Sequence, residues 1–402
     1  MLIVQKFGGS SVADAAKIER VAGIIADAYS AGNEVVVVLS AQGDTTDDLI
    51  ERAHEINPRP SKRELDMLLS VGEQISISLM AMQLEKMRIP AVSLTGWQVG
   101  LQTDSAYGAA RIKTVATERI RRELDKNRVV LVAGFQGVNK LDDITTLGRG
   151  GSDTTAVAIA AVLGAAKCQI FTDVEGVYTA DPRKVPGAIK LDAITYDEML
   201  ELAALGSQVL HSRSVEMAKR YGVDLEVLSS YVRKPGTKVK EVVKPVEKMK
   251  ISGIAKDENI ARITVVDVPD EPGIAFRIFR HVSKAGINVD IILQSAGEGG
   301  TNDISFCVAA DDAERTREVL DEHRDSIGFA RVDVDMSVAK ISMVGAGVMN
   351  TPGVACSMFE ALSERRINIQ MISSSEIKVS VIIDKAQADA AVAAVHDKFF
   401  GE

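Results

Sequence analysis

The feature that most constrains the fold is a series of short apolar runs that alternate with helical patterns. The clearest run is Glu34–Leu39, which contains four consecutive valines. A continuous apolar strand is typical of a parallel sheet with both faces covered, because neither face of the strand meets water. Similar runs occur at residues 2–5, 91–94, 129–132, 168–171 and 225–228. The pattern therefore predicts an α/β domain with a mainly parallel sheet.

Length and composition limit the classes of protein to which the chain can belong. Its 402 residues are too many for one ordinary core and indicate two or three domains. A net charge of −9 disfavours a general nucleic-acid binder. No apolar run approaches the ~20 residues that span a bilayer, and no signal peptide opens the sequence, so we expect a cytoplasmic protein without a membrane segment. Cys168, Cys307 and Cys356 are expected to be buried thiols, and the five histidines show no metal-ligand spacing.

The stretch Gly148–Thr155 is dense in chemistry. It combines three glycines, Arg149, Asp153 and three hydroxyl side chains, and an alanine-rich apolar run follows it. Ser152 or Asp153 is a suitable N-cap for the helix that the alanines predict. A helix N-terminus carries unpaired N–H groups and a partial positive charge, and a guanidinium adds a planar fork for a carboxylate or phosphate. The stretch favours an anion site, with a capped surface loop as the alternative.

A second glycine turn follows the first strand. Residues 2–5 lead into Lys6-Phe7-Gly8-Gly9-Ser10-Ser11, and a helical pattern begins at Ala13. Strand, glycine turn and helix form a geometry that holds phosphates, although the spacing of a Walker A loop is absent. Because the lysine precedes the glycines, we expect it at the strand end, reaching over the turn. A tight turn without a ligand is the alternative.

Three further polar stretches are candidates for the same site. Residues 40–47 end the Glu34–Leu39 strand, and ligands of open α/β sheets lie beyond such carboxyl ends. Glu73 stands beside a glycine within helix-rich sequence, where an ordinary solvated residue is the alternative. Residues 172–184, with acids, a tyrosine and a basic pair, are suited to clamping a nucleotide.

The C-terminal part contains a repeat, since Pro272–Ser295 aligns without a gap on Pro352–Ser375. Each copy begins with Pro-Gly and continues as a helix, Ile-Asn and a strand. The first copy completes a β-α-β-β-α-β order, with strands near 262–268, 287–295, 302–309 and 329–335 and helices near 273–285 and 311–324. The second copy has strands near 339–345, 367–373 and 376–383 and helices near 353–365 and 386–399, and it ends one strand short.

An orphan strand, Ile251–Ala255, precedes the first copy. We expect it to pair into the second copy's sheet, because an open edge would otherwise favour aggregation. The first copy is then inserted within the second. The predicted domains are residues 1–245, residues 262–337, and residues 250–257 together with 338–402.

Taken together, these residues resemble the aspartate kinase family of the amino-acid kinase superfamily. The matching motifs are Lys6–Val12, Ser40–Asp47, Gly72-Glu73, Gly148–Ala156 and Thr172–Arg183, and the two repeats resemble ACT modules, which bind free amino acids. The likeness covers essentially the whole chain. It implies a three-layer αβα amino-acid-kinase domain followed by two ferredoxin-like (βαββαβ) ACT modules.

The resemblance implies transfer of the γ-phosphoryl group of ATP, with Mg²⁺, to the side-chain carboxylate of L-aspartate. This reaction opens lysine, threonine and methionine biosynthesis. The implied catalytic residues are Lys6, Asp153 and Arg149. The implied ATP-binding residues are Lys6, Phe7, Gly8, Gly9, Ser10, Thr172, Asp173, Tyr178, Asp181, Arg183 and Lys184. The implied aspartate-binding residues are Ser40, Thr45, Glu73, Arg149, Gly150, Gly151 and Ser152, while the metal ligands stay unassigned.

The resemblance also implies feedback inhibition by lysine, threonine or both at the ACT modules. The implied effector residues are Asp270, Pro272, Gly273, Ile274, Ala275, Asn288, Val289, Asp290, Gln294, Val354, Ala355, Asn368, Ile369, Ser375 and Glu376. Some relatives make a short ACT-only product from an internal start, for which Met249 is placed suitably. We therefore expect a homodimer or an α₂β₂ assembly. One departure is Gln208, where many family members carry a lysine.

Two other interpretations stay open. An amino-acid sensor without catalysis is disfavoured by the intact Lys6, Glu73, Arg149 and Asp153. A kinase for glutamate, acetylglutamate or a nucleotide is disfavoured by the two ACT modules. The chemistry that the leading interpretation requires is modest, because the acceptor carboxylate is already ionised at pH 7. Catalysis then depends on positioning and on neutralising negative charge.

Overall fold

A computed structural model describes residues 1–205, 209–241, 251–296, 300–348 and 351–401. Its contacts divide the chain into two compact units. The first unit contains Met1–Tyr178, Lys190–Ala204 and Gln208–Lys244. The second contains Thr179–Ile189, Leu205–Ser207 and Pro245–Glu402. Gln208 and Met249, which the sequence singled out, lie outside the described residues.

The first unit is an alternating α/β structure. Its strands are β1 (Leu2–Phe7), β2 (Glu34–Leu39), β3 (Ala91–Leu94), β4 (Leu101–Thr103), β5 (Ile112–Val115), β6 (Val129–Ala133), β7 (Gln136–Val138), β8 (Ile144–Thr146), β9 (Lys167–Thr172), β10 (Ala193–Thr195), β11 (Leu225–Ser229) and β12 (Thr237–Lys240). Its helices are α1 (Ala15–Ser30), α2 (Thr45–Ile56), α3 (Lys62–Leu69), α4 (Val71–Lys86), α5 (Glu118–Leu124), α6 (Gly151–Leu163), α7 (Tyr196–Ala204) and α8 (Ser212–Tyr221).

The main sheet has the strand order β10-β12-β11-β9-β1-β2-β6-β3 across the described residues. Its pairs are parallel except for β11 with β12. The predicted mainly parallel sheet is therefore confirmed. In β2, Val35, Val37 and Leu39 pack in one cluster with side chains of α1 and α4. Since successive side chains alternate between faces, Val36 and Val38 face the opposite layer, where α6 packs against β1, β2 and β9.

One helical stretch, Lys62–Lys86, is long and apolar enough by composition to cross a membrane. Its α4 portion instead contributes Ile77, Met80 and Leu84 to the cluster between α1 and the main sheet. These three side chains are at most 3% exposed. The stretch therefore has the burial of a core helix.

A small sheet, β5-β4-β7-β8, was not predicted from the sequence. Its strands are three or four residues long, too short to show a period of two.

The basic residues in and just after α5 surround one buried carboxylate. Glu123 is 2% exposed and lies within 3.3 Å of Arg119, Lys126 and Arg128. The three cations thus compensate one buried carboxylate.

The second unit holds the two repeats. Its strands are β13 (Gly253–Asp257), β14 (Ile260–Pro269), β15 (Asp290–Ala296), β16 (Thr301–Ala309), β17 (Arg331–Asp335), β18 (Val338–Val344), β19 (Met371–Ser374) and β20 (Lys378–Asp384). Its helices are α9 (Ile274–Lys284), α10 (Ala313–Asp321), α11 (Arg324–Ile327), α12 (Val354–Glu364) and α13 (Ala388–Phe400).

Each repeat forms an antiparallel sheet with helices on it. The strand orders are β15-β16-β14-β17 and β13-β18-β20-β19. β13 pairs with β18 from Gly253↔Val344 to Asp257↔Lys340, in the place that β17 takes beside β14. This pairing is consistent with the predicted insertion of the first copy within the second. In both copies the Pro-Gly glycine has a left-handed φ, +94° at Gly273 and +92° at Gly353, and caps the helix that follows.

The two units differ in one respect from the predicted division near residue 245. Thr179–Ile189 packs with the second unit although its neighbours in the chain belong to the first. The cysteines also divide differently from the expectation of three buried thiols. Cys168 and Cys307 are buried, but Cys356 is exposed on α12.

Candidate active site

The candidate site lies in the first unit, where three adjacent parallel strands end. Phe7 of β1 is in register with Leu39 of β2 and Phe171 of β9. The residues that come next in the chain are Gly8, Ser40 and Thr172. They therefore lie at the same edge of the sheet. Ligands of open α/β sheets bind at such an edge.

Lys6 and Asp153 form the central ion pair of this edge. Lys6 Nζ lies 2.7 Å from Asp153 Oδ1, and the two side chains are 13% and 10% exposed. Lys6 comes from the end of β1, whereas Asp153 is in the first turn of α6. The contact therefore brings together residues that are 147 positions apart, as the sequence predicted. Its partial burial strengthens the attraction relative to an exposed pair.

The glycine turn under Lys6 is closely packed. A Cβ on Gly8 would lie 3.6 Å from Lys6 Nζ, so the ammonium passes directly over this residue. A Cβ on Gly9 would come within 2.5 Å of the carbonyl oxygen of Ala41, which leaves no room for any side chain. The turn therefore keeps β1 and the end of β2 close together, with bare backbone beneath the ammonium.

The first turn of α6 needs glycine for the same reason. Gly150 has a φ of +67°, and a Cβ there would also meet the ring of His211 at 2.3 Å. Gly151 begins the helix, and Thr155 Oγ1 donates to its carbonyl at 2.9 Å. Arg149, just before this turn, is exposed and has no ion pair within the described part of the chain. Its guanidinium is thus available beside a helix N-terminus.

Glu73 is a buried carboxylate at the start of α4. It is 3% exposed; Oε1 accepts from the backbone N–H of Ala41 at 3.1 Å, while Oε2 has no hydrogen-bond partner in the structure. Burial raises the pKa of Glu73 to about 7 despite that backbone hydrogen bond. A buried oxygen without a partner is costly unless a ligand completes it. Because Ala41 follows Ser40, this oxygen is placed near the end of β2.

The profile of the amino acid kinase family matches residues 1–229, and that of the ACT domain matches residues 263–323 and 341–399. The chain is 50% identical to an aspartokinase of Mycolicibacterium smegmatis over 99% of its own length and 96% of the relative. It is 48% identical to an aspartokinase of Bacillus sp. strain MGA3 over 99% of its length and 97% of the relative. The chain belongs to the aspartokinase family.

Solved structures of this family share the fold. Aspartokinase III of E. coli in complex with aspartate and ADP, in its R-state, matches with a TM-score of 0.85 and 25% identity, over all of both chains. The same enzyme in complex with lysine and aspartate, in its T-state, matches with a TM-score of 0.76 and 26% identity, over 99% of each chain. The predicted kinase fold with ACT domains is confirmed by these likenesses.

Other residues predicted to bind aspartate lie near Glu73 and Asp153. Thr45 is the first residue of α2 and donates through Oγ1 to the carbonyl of Gln42 at 2.6 Å. A Cβ on Gly72 would lie 2.7 Å from the Cβ of Ala41, which explains the glycine before Glu73. Ser152 is 7% exposed and packs against Gly134, where a Cβ would meet its Oγ at 2.6 Å.

The structure adds one residue that the sequence analysis did not select in this aspartokinase. His211 precedes α8, and its Nδ1 accepts from the N–H of Arg213 at 3.4 Å. Burial lowers the pKa of His211, Asp153 opposes this effect, and Arg213 and Arg149 add to it. His211 therefore lies in the electrostatic neighbourhood of both Asp153 and Arg149. No spacing signal marked it, since Asp153 and Arg149 are 58 and 62 positions away in the chain. Its neighbours are set by the packing of α8 on α6.

The predicted nucleotide residues are distributed over both units. Thr172 donates through Oγ1 to Asp173 at 3.0 Å, beside the end of β9. Tyr178 is the last residue of the first unit before the chain enters the second, and burial raises the pKa of its hydroxyl. Asp181, Arg183 and Lys184 belong to the second unit. Their role in binding ATP stays a prediction.

The predicted effector residues cluster around the two Pro-Gly turns and the strands that follow. Asp270 accepts from the side-chain amide of Asn302 at 2.9 Å, which fixes the first turn to β16. Asp290, one of the predicted effector residues, already pairs with Lys340 of the second repeat at 2.6 Å. Burial opposes ionisation of Asp290, but the hydrogen bond and charge of Lys340 outweigh it and lower its pKa. An amino-acid effector would therefore have to compete with Lys340 for this carboxylate.

Proposed function

We propose that this chain transfers the γ-phosphoryl group of ATP to the side-chain carboxylate of L-aspartate, giving 4-phospho-L-aspartate and ADP. The observation that carries the proposal is the pair of Lys6 and Asp153 over the Gly8–Gly9 turn, with Arg149 and the unpaired Oε2 of Glu73 on neighbouring elements. This set offers a cation for a phosphoryl group and separate partners for both ends of an amino acid. The chain's membership of the aspartokinase family supports aspartate as the substrate.

On the acceptor side, Arg149 binds the α-carboxylate and Glu73 accepts from the α-ammonium. Gly150, Gly151 and Ser152 present the N-terminal end of α6, while Ser40 and Thr45 line the end of β2. Two charge-assisted contacts at one end of the substrate leave its β-carboxylate free to point along the sheet edge. That carboxylate is ionised at neutral pH, so positioning replaces general-base catalysis.

On the donor side, Lys6 contacts the phosphoryl group while it is being transferred. Asp153 holds the Lys6 ammonium over the Gly8–Gly9 backbone. A preorganised ammonium stabilises the charge that spreads over the equatorial oxygens in the transition state. Thr172, Asp173 and Tyr178 bind the nucleotide, with Asp181, Arg183 and Lys184 as further contacts.

Mg²⁺ accompanies ATP in this proposal. No group of three or more His, Cys, Asp or Glu that could hold a metal occurs in the described ranges. The residues present therefore fit a metal carried by phosphate oxygens and water rather than by a protein cage. When bound, such a metal neutralises phosphate charge.

The two ACT modules bind lysine, threonine or both in this proposal, and E. coli aspartokinase III in complex with lysine is the supporting likeness. Assembly as a homodimer or as α₂β₂ with a product beginning near Met249 is a further part of it, as is a cytoplasmic location. Western blotting with an antibody against the C-terminal tail tests the second product. A single full-length band contradicts the α₂β₂ form.

The experiment for the reaction is ADP release, coupled to hydroxamate trapping of the acyl phosphate, against a panel of acidic amino acids. Aspartate should give ADP and hydroxamate in equal amounts, and lysine plus threonine should reduce both. Lys6→Ala serves as the inactive control, because it removes the ammonium without disturbing the glycine turn. ADP release that depends on glutamate or acetylglutamate instead would change the substrate, and silence with every amino acid would favour a sensor.

A further inference from the structure

The Thr179–Ile189 segment follows Tyr178 in the chain and carries the predicted nucleotide residues Asp181, Arg183 and Lys184, yet it packs with the second unit. It is closed at its base by its two neighbours in the chain, because Tyr178 and Lys190 form an antiparallel bridge in the first unit. The conformation of these eleven residues therefore acts on Tyr178 and Lys190 through peptide bonds alone. What holds the segment in place is consequently relevant to nucleotide binding.

The backbone of the segment is fixed at Thr179. The Thr179 carbonyl accepts from the N–H of Ile254 in β13 at 2.7 Å, and its own N–H donates to Ile189 at 2.9 Å. β13 is the edge strand of the second repeat's sheet. The hydrogen bond to Ile254 thus occupies one of the backbone groups that an edge strand would otherwise leave open.

The side chain of Thr179 makes a second, buried link to α13. Thr179 Oγ1 lies 2.9 Å from Nε2 of His396, and the two residues are 0% and 2% exposed. Oγ1 also accepts from the N–H of Ile189 at 2.9 Å. Burial lowers the pKa of His396 against the opposing charge of Asp397, and with a neutral ring the threonine hydroxyl donates to Nε2 while it accepts from the N–H of Ile189. Both buried groups are satisfied only when the segment and α13 keep this geometry.

Two further contacts attach the other part of the segment to the same module. Ala180 and Val185 are buried in a cluster that includes Val392 and Val395 of α13. Lys184 Nζ lies 3.0 Å from Asp389 Oδ2 at the start of α13. The other oxygen of Asp389 pairs with Lys256 of β13 at 2.5 Å. The segment is thus held at its first residues and in its middle by groups of a single helix and the strand beside it.

We propose that Thr179, His396 and Asp389 are positioning residues for nucleotide binding. The helix α13 fixes the conformation of the 179–189 segment, and this segment fixes Tyr178, the adjacent residue in the predicted nucleotide-binding stretch. The inference rests on the proposed function, which places the nucleotide at residues 172–178 with Asp181, Arg183 and Lys184 as further contacts. It extends that function by making ATP affinity depend on the packing of the second ACT module.

The apolar contacts of Ala180 and Val185 would be enough if the segment only had to pack against the module. The hydrogen bond between Thr179 and His396 instead tolerates little displacement, since a shift leaves the buried Nε2 of His396 without this partner, while Oγ1 keeps only the N–H of Ile189. A movement of α13 is therefore transmitted to Thr179, and Tyr178 is the very next residue toward the strand β9. A loosely packed loop would change its own conformation in response to such a movement and leave Tyr178 in place.

The test is the dissociation constant of ADP with Mg²⁺, measured by calorimetry on the full-length protein. Thr179→Val keeps the shape and removes the hydroxyl, while Asp389→Asn removes the charge of a half-exposed side chain. Glu364→Gln, an exposed position on α12 of the same module, is the matched control for charge. Thr179→Ser restores the hydroxyl and serves as the conservative rescue.

We expect the ADP dissociation constant to rise about 5- to 20-fold in Thr179→Val and at least about threefold in Asp389→Asn. Thr179→Ser and Glu364→Gln should stay within about twofold of the wild type, as should the KM for aspartate in every variant. Because Asp389 is at the surface, its substitution keeps the test valid if Thr179→Val does not fold.

ADP affinity unchanged in Asp389→Asn and Thr179→Val overturns the inference and leaves the proposed function intact. An equal loss of aspartate and ADP affinity also overturns it, because a general loss of structure predicts that pattern. A wild-type chain that binds no ADP contradicts the proposed function itself and removes this inference with it.

Discussion

Glu73 offers the sharpest test of the acceptor site, because one side chain links stability, pH and substrate affinity. Its carboxyl group is 3% exposed, and burial raises its pKa from 4.5 to about 7. The unfolded chain loses this proton near pH 4.5, whereas the folded chain keeps it to about pH 7. The folded state therefore binds more protons between these values, and its stability falls as pH rises through that window. At about 1.4 kcal/mol per pH unit, the loss amounts to about 3 kcal/mol.

Glu73→Gln should remove that dependence, because an amide does not titrate. The free energy of unfolding of the variant, relative to the wild type, should increase by about 3 kcal/mol between pH 4.5 and pH 7 and then level off. Urea denaturation of the ligand-free protein at a series of pH values measures this difference. Glu85→Gln, on the exposed face of the same helix, is the control and should follow the wild type.

The same substitution should weaken aspartate binding. An α-ammonium group pairs with the ionised form of Glu73, so the KM for aspartate of the wild type should rise as pH falls below 7. Loss of a charge-assisted hydrogen bond of about 1.5–3 kcal/mol corresponds to a KM roughly 10- to 150-fold higher in Glu73→Gln. The KM for ATP should change little. A pH-independent stability difference, or a KM for aspartate that keeps its pH dependence in the variant, would refute the reasoning.

Three other substitutions test the remaining roles. Arg149→Ala should raise the KM for aspartate far more than that for ATP, by the loss of a pair worth roughly 1.5–3 kcal/mol, and equal effects in steady-state kinetics would count against the assignment. Lys6→Ala should lower kcat by at least ~100-fold, since it removes the cation from the transition state, and an unchanged kcat removes Lys6 from the mechanism. Gly9→Ala should abolish activity or folding, because its Cβ would lie 2.5 Å from the carbonyl oxygen of Ala41; full activity would show that the turn can move.

Much of the fold follows from periodicity. The valine run Glu34–Leu39 coincides with β2, and the repeat placed a helix near residues 273–285 where α9 spans Ile274–Lys284. These elements were predictable because each is long enough for its period to appear, and because two copies of one pattern support each other. The strands of the small sheet are not, since three or four residues carry no period.

The site was predictable in its residue types more than in its arrangement. Lys6 was selected from the glycine turn beside it and Asp153 from the glycine-rich helix start and the family resemblance, and the packing of α6 against β1 then brings them to 2.7 Å. His211 could not be selected, because its place depends on how α8 packs against α6. Nor could the attachment of Thr179–Ile189 to the second unit be foreseen, because that loop has no hydrophobic period to show which core it joins.

The charges of the site explain why several separate elements contribute to it. The reaction brings a carboxylate toward a polyphosphate, yet the Lys6–Asp153 pair carries no net charge. Asp153 therefore orients the ammonium at the cost of part of its attraction for anions, and the remaining positive potential has to come from elsewhere. Arg149 supplies it without an ion-pair partner among the described residues, beside the N-terminus of α6, whose own first turn holds Asp153. The site thus needs one cation with a fixed orientation, Lys6, and another whose charge is not neutralised, Arg149. A single cation could not meet both requirements.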